Sequence, residues 1–374
     1  MIDRNQKPPS TKIEELRRSL RQMAQELGPE ARLPPVREMC ELFSTSRVTL
    51  REALALLFTE QILYSKAREG IFVSPRIRHK SIAVLFDASI FTMRGLSPFW
   101  SSLWVLFTQE ALRRQQFKEE TCSFHHIMPT ADFFHSLPEP IIQMFLEQRV
   151  HGVLAVGLGT PSSEWLLKQA LPCISFAAGG HWIVKLDMAA LTRQATQALV
   201  EQGCRRIGIW QQNLQRIIYE DITTYETFQG MKEVLEEKNM HLYPQFARIL
   251  QLPLATNNPH KAMTFQEQGY QLAKDVFSRP PEERPDGLII CDEMLTDGAL
   301  VAMQQMGIEP ERDIKIATHA NMYSPILFGH TARMLVFEFD PLELVQTMFS
   351  LLDMLMSGQK PTTRVINLLP RYAQ

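Results

Sequence analysis

A group of side chains between Arg37 and Gly70 carries the chemistry needed to grip a polyanion and read base edges. Arg47 and Arg51 stand four residues apart, so on a helix they project from one face. A guanidinium fork bonds O6 and N7 of guanine together, which suits the pair to a major groove. Ser46 and Thr49 add hydroxyls that bond phosphates or bases, and the free amides of a helix start favour phosphate. Arg37, upstream, can clamp the backbone. Lys66 and Arg68 sit on a polar turn that ends at Gly70. Glycine permits close approach of the chain to DNA, and Arg68 can reach a minor groove. The competing reading of any single arginine is a solvated surface charge; the capped helix start, the arginine pair and the basic turn together argue against it.

These residues need a particular frame. Ile13, Leu16, Leu20, Met23, Ala24 and Leu27 recur at three- and four-residue steps, which predicts a helix capped at Ser10 or Thr11 and ended by Gly28-Pro29. Leu33-Pro34-Pro35 then opens a short helix, Val36 to Phe43. Ser44-Thr45-Ser46 makes a turn and a cap for a third helix, Arg47 to about Phe58, whose Leu50, Ala53, Leu54 and Leu57 share a packing face. Ile62-Leu63-Tyr64 and Ile71-Phe72-Val73 flank the polar turn as a hairpin. Two short helices joined by a tight turn, followed by a hairpin, are the frame of a winged helix-turn-helix.

The segment resembles the DNA-binding domain of the GntR family of bacterial regulators. The resemblance rests on Leu33-Pro34-Pro35-Val36-Arg37, Ser46-Arg47-Val48-Thr49-Leu50-Arg51 and Gly70-Ile71-Phe72-Val73. It implies that Arg37, Arg47, Arg51 and Gly70 contact operator DNA. The wing departs from the family pattern, with Arg68 and Ile71 where a second glycine and a threonine are usual.

Charge is distributed to match. Residues 1–80 hold 15 Lys and Arg against 10 Asp and Glu, a net of +5 on a chain of net charge −2. A basic head on an acidic body fits a nucleic-acid contact confined to the head. Residues 74–80 read as a linker, with the domains divided at 1–75, 76–80 and 81–374. From Ser81 on, short β-rich runs alternate with helical stretches, the pattern of parallel sheets flanked by helices. The strands expected are Ile82–Phe86, Gly152–Val156, Cys173–Phe176, Ile183–Leu186, Arg206–Trp210, Gly287–Cys291, Ile314–Ala317 and Met334–Phe337. Asp187 and Asp292 fall just past strand ends, where open α/β sheets bind ligands; helix capping is the competing role for each. The five cysteines (Cys40, Cys122, Cys173, Cys204 and Cys291) have no metal-ligand spacing and read as reduced thiols. His125-His126 and His135 also lack such spacing, so neither metal nor cofactor is expected. The polar N-terminus is no signal peptide, and no apolar run approaches the ~20 residues of a membrane span. The protein is therefore expected in the cytoplasm.

The serial order of residues 81–374 resembles the effector domain of the LacI family, built like periplasmic sugar-binding proteins. It implies a two-lobed α/β body crossed by three strands near Leu186-Asp187, Ala320-Asn321 and Phe339-Asp340. The first lobe would take 81–186 with 322–339, and the second 187–321 with 340–374. A small molecule, a sugar by resemblance, would sit between the lobes against Phe99, Trp100, Asp187, Thr227 and Asp292. Thr227 stands where the family commonly has a sugar-clamping arginine. Trp182, His181 and Trp210 lie near expected strand ends and are further candidates for the cleft. The whole would be a homodimeric, ligand-responsive regulator, by default a repressor. One alternative is a body that serves only as a ligand-free dimerisation module. A more remote one is an α/β enzyme, against which the chain lacks a phosphate-cradling glycine loop, a nucleophile elbow and a zinc motif.

Overall fold

A computed structural model describes residues 11–88, 97–118, 120–128, 137–147, 150–213, 224–251 and 263–373. Ser10 and His135 lie outside these residues.

The head is built from α1 (Thr11–Leu27), α2 (Val36–Leu42), α3 (Arg47–Thr59) and the hairpin β1 (Leu63–Lys66) and β2 (Gly70–Val73). Its core joins Leu16, Leu20 and Ala24 of α1 to Met39 of α2 and to Leu50, Ala53, Leu54 and Leu57 of α3. α1 ends at Gly28, whose φ of 85° is left-handed. Arg17 and Arg21 both bond Glu60, tying α1 to the end of α3. Residues 30–33 extend the hairpin as a third strand: Leu33 N–H donates to Ile71 O at 2.9 Å and Val73 N–H to Ala31 O at 2.8 Å. The expected linker is not free chain. Pro75–Arg78 forms a 3-10 turn, and Ile77 packs against the head core.

The body contains two six-stranded sheets. The first runs in the order β13-β7-β6-β5-β3-β4, from β3 (Lys80–Asp87), β4 (Glu120–Ile127), β5 (Gly152–Val156), β6 (Cys173–Phe176), β7 (Trp182–Leu186) and β13 (Val365–Leu368). The second runs β14-β12-β11-β10-β8-β9, from β8 (Ile207–Asn213), β9 (Ala247–Gln251), β10 (Gly287–Ile290), β11 (Lys315–Asn321), β12 (Leu335–Phe339) and β14 (Arg371–Tyr372). Neighbouring strands from β5 to β13 and from β9 to β12 are parallel; β14 is antiparallel to β12. Every residue of β5 and β10 is buried, as parallel strands covered on both faces must be.

The helices are α4 (Phe99–Phe117), α5 (Glu139–Leu146), α6 (Thr160–Leu167), α7 (Met188–Glu201), α8 (Glu226–Glu237), α9 (Phe265–Phe277), α10 (Glu293–Gln305) and α11 (Pro341–Met356). α7 pairs with α8, α9 with α10, and α11 covers β5, β6 and β7. Contacts group the chain into two compact units. One takes in the head with the end of α4, the start of β4 and most of α5; the other takes in the rest.

The strand pairing corrects the expected division of the lobes. β12 pairs in parallel with β11, Asn321 opposite Phe339, so 335–339 belong to the second sheet and no crossing occurs near Ala320-Asn321. Backbone hydrogen bonding decides this, and neither β11 nor β12 carries a local sign of which sheet it joins. The crossings fall between β7 and α7, between β12 and α11, and between β13 and β14.

Candidate functional site

α3 begins at Ser46, whose Oγ accepts from Thr49 N–H at 3.2 Å and lies 2.9 Å from Thr49 Oγ1. Both hydroxyls therefore fix the helix start before they meet any ligand. With the apolar face of α3 buried in the head, Arg47 and Arg51 are left exposed, and neither has a hydrogen-bond or ion-pair partner among the described residues. Val48 is 68% exposed beside them. An apolar side chain there can meet a thymine methyl; the sequence reading had no reason to single it out. Arg37 is also exposed but faces Glu41 at 3.3 Å, a solvated pair of small energetic weight.

The hairpin turn holds Arg68 in left-handed backbone at φ 67°, exposed, and Gly70 at φ 125°. Arg32, on the added third strand, lies over Gly70: a Cβ built on that glycine would sit 3.1 Å from Arg32 Nε. Arg32 has no partner among the described residues and joins Arg68 as a free cation of the wing. Lys66 is engaged instead, with Nζ 4.7 Å from the centre of the Phe72 ring and 4.0 Å from Glu30. The Arg32 placement depends on strand pairing remote in sequence, so no local pattern signalled it.

In the body, carboxyl ends of strands gather a second set of polar groups. Asp187 caps α7, accepting from Ala190 N–H at 2.8 Å, and Asp292 caps α10, accepting from Leu295 N–H at 2.9 Å. Burial pushes the Asp292 carboxyl up to about 7. Thr227 is buried, and its hydroxyl donates to Gln211 Oε1. Phe99 and Trp100 pack with Phe176, centroids 5.3 to 6.0 Å apart.

The central group of this set was not foreseen. Glu293, first residue of α10, is fully buried. Its Oε1 accepts from Ser97 Oγ and from Asn321 Nδ2, each at 2.8 Å, and its Oε2 from Asn321 N–H at 3.2 Å. Around it, Gln211 Nε2, Gln212 Nε2, Asn321 Oδ1 and both ring nitrogens of His319 are buried with no hydrogen-bond partner. Burial lowers the His319 pKa and keeps the ring neutral. Such orphaned groups are costly unless something pairs with them. Together they form a wall of donors and acceptors able to bond a polar, hydroxyl-rich or amide-like molecule.

Three cleft candidates fall elsewhere. Trp182 and His181 lie at the amino end of β7, opposite to the strand end that leads into α7. Trp210 is 1% exposed in the core beneath α9 and α10. His126 stacks on Trp104 at 4.6 Å, and burial lowers the His125 pKa.

Residues 12–73 match the family model described as "Bacterial regulatory proteins, gntR family". The head is thus similar to the winged helix-turn-helix of the GntR family, and the body has the fold of LacI-type regulators. Among solved structures, a regulatory protein of the LacI family from Chloroflexus aggregans is similar at a TM-score of 0.61 and 19% identity, covering 78% of this chain and 96% of its own. A transcriptional regulator CelR in complex with cellobiose is similar at 0.57 and 16%, covering 91% and 99%. A periplasmic binding protein/LacI transcriptional regulator from Alkaliphilus metalliredigens QYMF, complexed with D-xylulofuranose, is similar at 0.55 and 14%, covering 79% and 97%. At such identities the likeness is one of fold. Among the described residues, no helix is long and apolar enough to cross a membrane.

Proposed function

We propose that this chain is a sequence-specific transcription regulator whose affinity for operator DNA is set by a small molecule bound between its two lobes. The observation that carries the reading is the start of α3: a capped helix presenting Arg47, Val48 and Arg51 unpaired, within a segment matched to a family of DNA-binding regulators. Arg47 and Arg51 read base edges, with Ser46, Thr49 and Arg37 at the phosphates. Arg68, Gly70 and Arg32 form the wing contact. The protein acts in the cytoplasm as a homodimer on a near-palindromic operator, since two like heads read two like half-sites. It catalyses no reaction and needs no cofactor.

The effector is a carbohydrate or a related polar metabolite, and repression relieved by it is the default mode. Orphaned amide and imidazole groups at the ends of β8 and β11 support a polar ligand, as do two regulators of the same fold in complex with cellobiose and D-xylulofuranose. Phe99 and Trp100 offer ring faces to it, and Asp187 and Asp292 each keep a carboxylate oxygen beyond the one that caps a helix. The engaged hydroxyl of Thr227 favours the second reading, a body that only dimerises.

Fluorescence anisotropy tests the first claim. Binding of the chain's own promoter duplex at physiological salt should be at least 1,000-fold tighter than binding of a random duplex, the low end of known specificity ratios. Equal affinities would end the regulator reading. A thermal-shift series with cellobiose, pentoses and hexoses separates effector from module: a cleft ligand at 100 times its dissociation constant stabilises by roughly 2.7 kcal/mol.

A further inference from the structure

We propose that Glu293 latches the two lobes together, with Ser97 as the partner it holds across the cleft. Ser97 precedes α4 and is carried by the first lobe; Glu293 and Asn321 belong to the second. One carboxylate oxygen, Oε1, receives a donor from each lobe at 2.8 Å. A fully buried carboxylate demands compensation for its lost hydration. Among the described residues no Lys or Arg supplies it, and the nearby His319 ring is neutral. Compensation comes from three donors, and one of them, Ser97 Oγ, is on the other lobe. Parting the lobes removes that donor, so the solvation of Glu293 and the closure of the cleft are one equilibrium. A hydrogen bond to a buried charge shifts such an equilibrium by roughly 10- to 150-fold.

The latch differs from the two aspartates nearby. Asp187 and Asp292 bond the helices they begin and would do so whether the lobes were apart or together. Glu293 is the member of the set whose bonding requires both. The inference adds to the proposed effector cleft and uses that reading only where DNA binding is measured.

Ser97 has a second role that the test must separate, because its Oγ also accepts from Phe99 N–H at 3.2 Å and so caps α4. Ser97→Ala removes cap and latch. Ser97→Asp keeps an N-cap acceptor but sets a carboxylate against Glu293. Ser97→Thr keeps both. Small-angle X-ray scattering of the full chain without effector should give a larger radius of gyration for Ser97→Ala and Ser97→Asp, with Ser97→Thr superimposing on the unsubstituted chain. Thermal melts establish that each variant is folded. In anisotropy with the chain's own promoter duplex, the two opened variants should differ from the unsubstituted chain by about 5-fold or more, the low end of allosteric couplings. A Ser97→Asp profile that superimposes on the unsubstituted chain overturns the latch. Failure of the unsubstituted chain to bind its promoter overturns the regulator reading instead and leaves the scattering to decide the latch.

Discussion

Arg47 and Arg37 are both exposed guanidinium groups, but only Arg37 has a carboxylate beside it. The difference sorts their expected effects. Arg47→Ala should cost roughly 1–3 kcal/mol of operator binding and relax preference at one base pair, whereas Arg37→Ala should weaken all duplexes alike and reduce the slope of log affinity against log salt by about one. Anisotropy over a salt series on two operator variants distinguishes them. Asp292 makes a different prediction. Its carboxyl is raised from 3.8 to about 7 in the folded chain, so the folded state holds its proton more tightly than the unfolded one. Its contribution to stability is full at low pH and is lost as pH rises through about 7. Melting temperatures of Asp292→Asn should therefore fall less between pH 5 and pH 8 than those of the unsubstituted chain; parallel curves would count against a buried titrating acid. The arginines of α3 were legible because helical spacing and a cap are local. Glu293 was not, because beside Asp292 at a strand end it reads as one more helix-start acid, and its bonds reach 28 and 196 residues away.

Among the elements, the α9–α10 pair shows how closely two helices can be brought. A Cβ on Gly298 would fall 1.9 Å from Gln266 O, and one on Gly269 would fall 2.1 Å from Leu295 O. Each glycine thus meets backbone that cannot move aside without separating the helices. Gly298→Ala should destabilise the body by roughly 1–3 kcal/mol, the usual penalty of overpacking, read as a lower urea midpoint at an unchanged slope. Interior strands such as β5 and β10 were legible as short apolar runs. β4 buries only its end residues, Glu120 and Ile127, and carries two histidines, and β13 exposes three of its four side chains in part or whole. Such edge strands read as loops until pairing supplies their reason to be extended. α11 was missed as well, although Asp340 caps it, Pro341 opens it, and its polar residues Glu343, Gln346, Ser350 and Asp353 recur at three- and four-residue steps.

At the scale of the whole molecule, the proposed function requires two heads and two lobes to act together. If the chain is a homodimer on a palindrome, inserting five base pairs between half-sites turns one half-site to the opposite side of the duplex and should abolish tight binding, while ten base pairs should partly restore it. Sedimentation of the free chain checks the dimer itself. The parallel sheets were legible from strand and helix alternation and the two lobes from the resemblance to the LacI family, but the allotment of the last 50 or so residues was not, since only pairing partners say which sheet a strand joins. Those residues also complete both sheets. β13 borders the first sheet and β14 borders the second, and they are separated by Leu369 and Pro370 alone. Neither sheet, therefore, has its last strand until residues 365–372 are in place. Loss of residues 365–372 would leave two raw sheet edges at once, each a template for sticking to another chain.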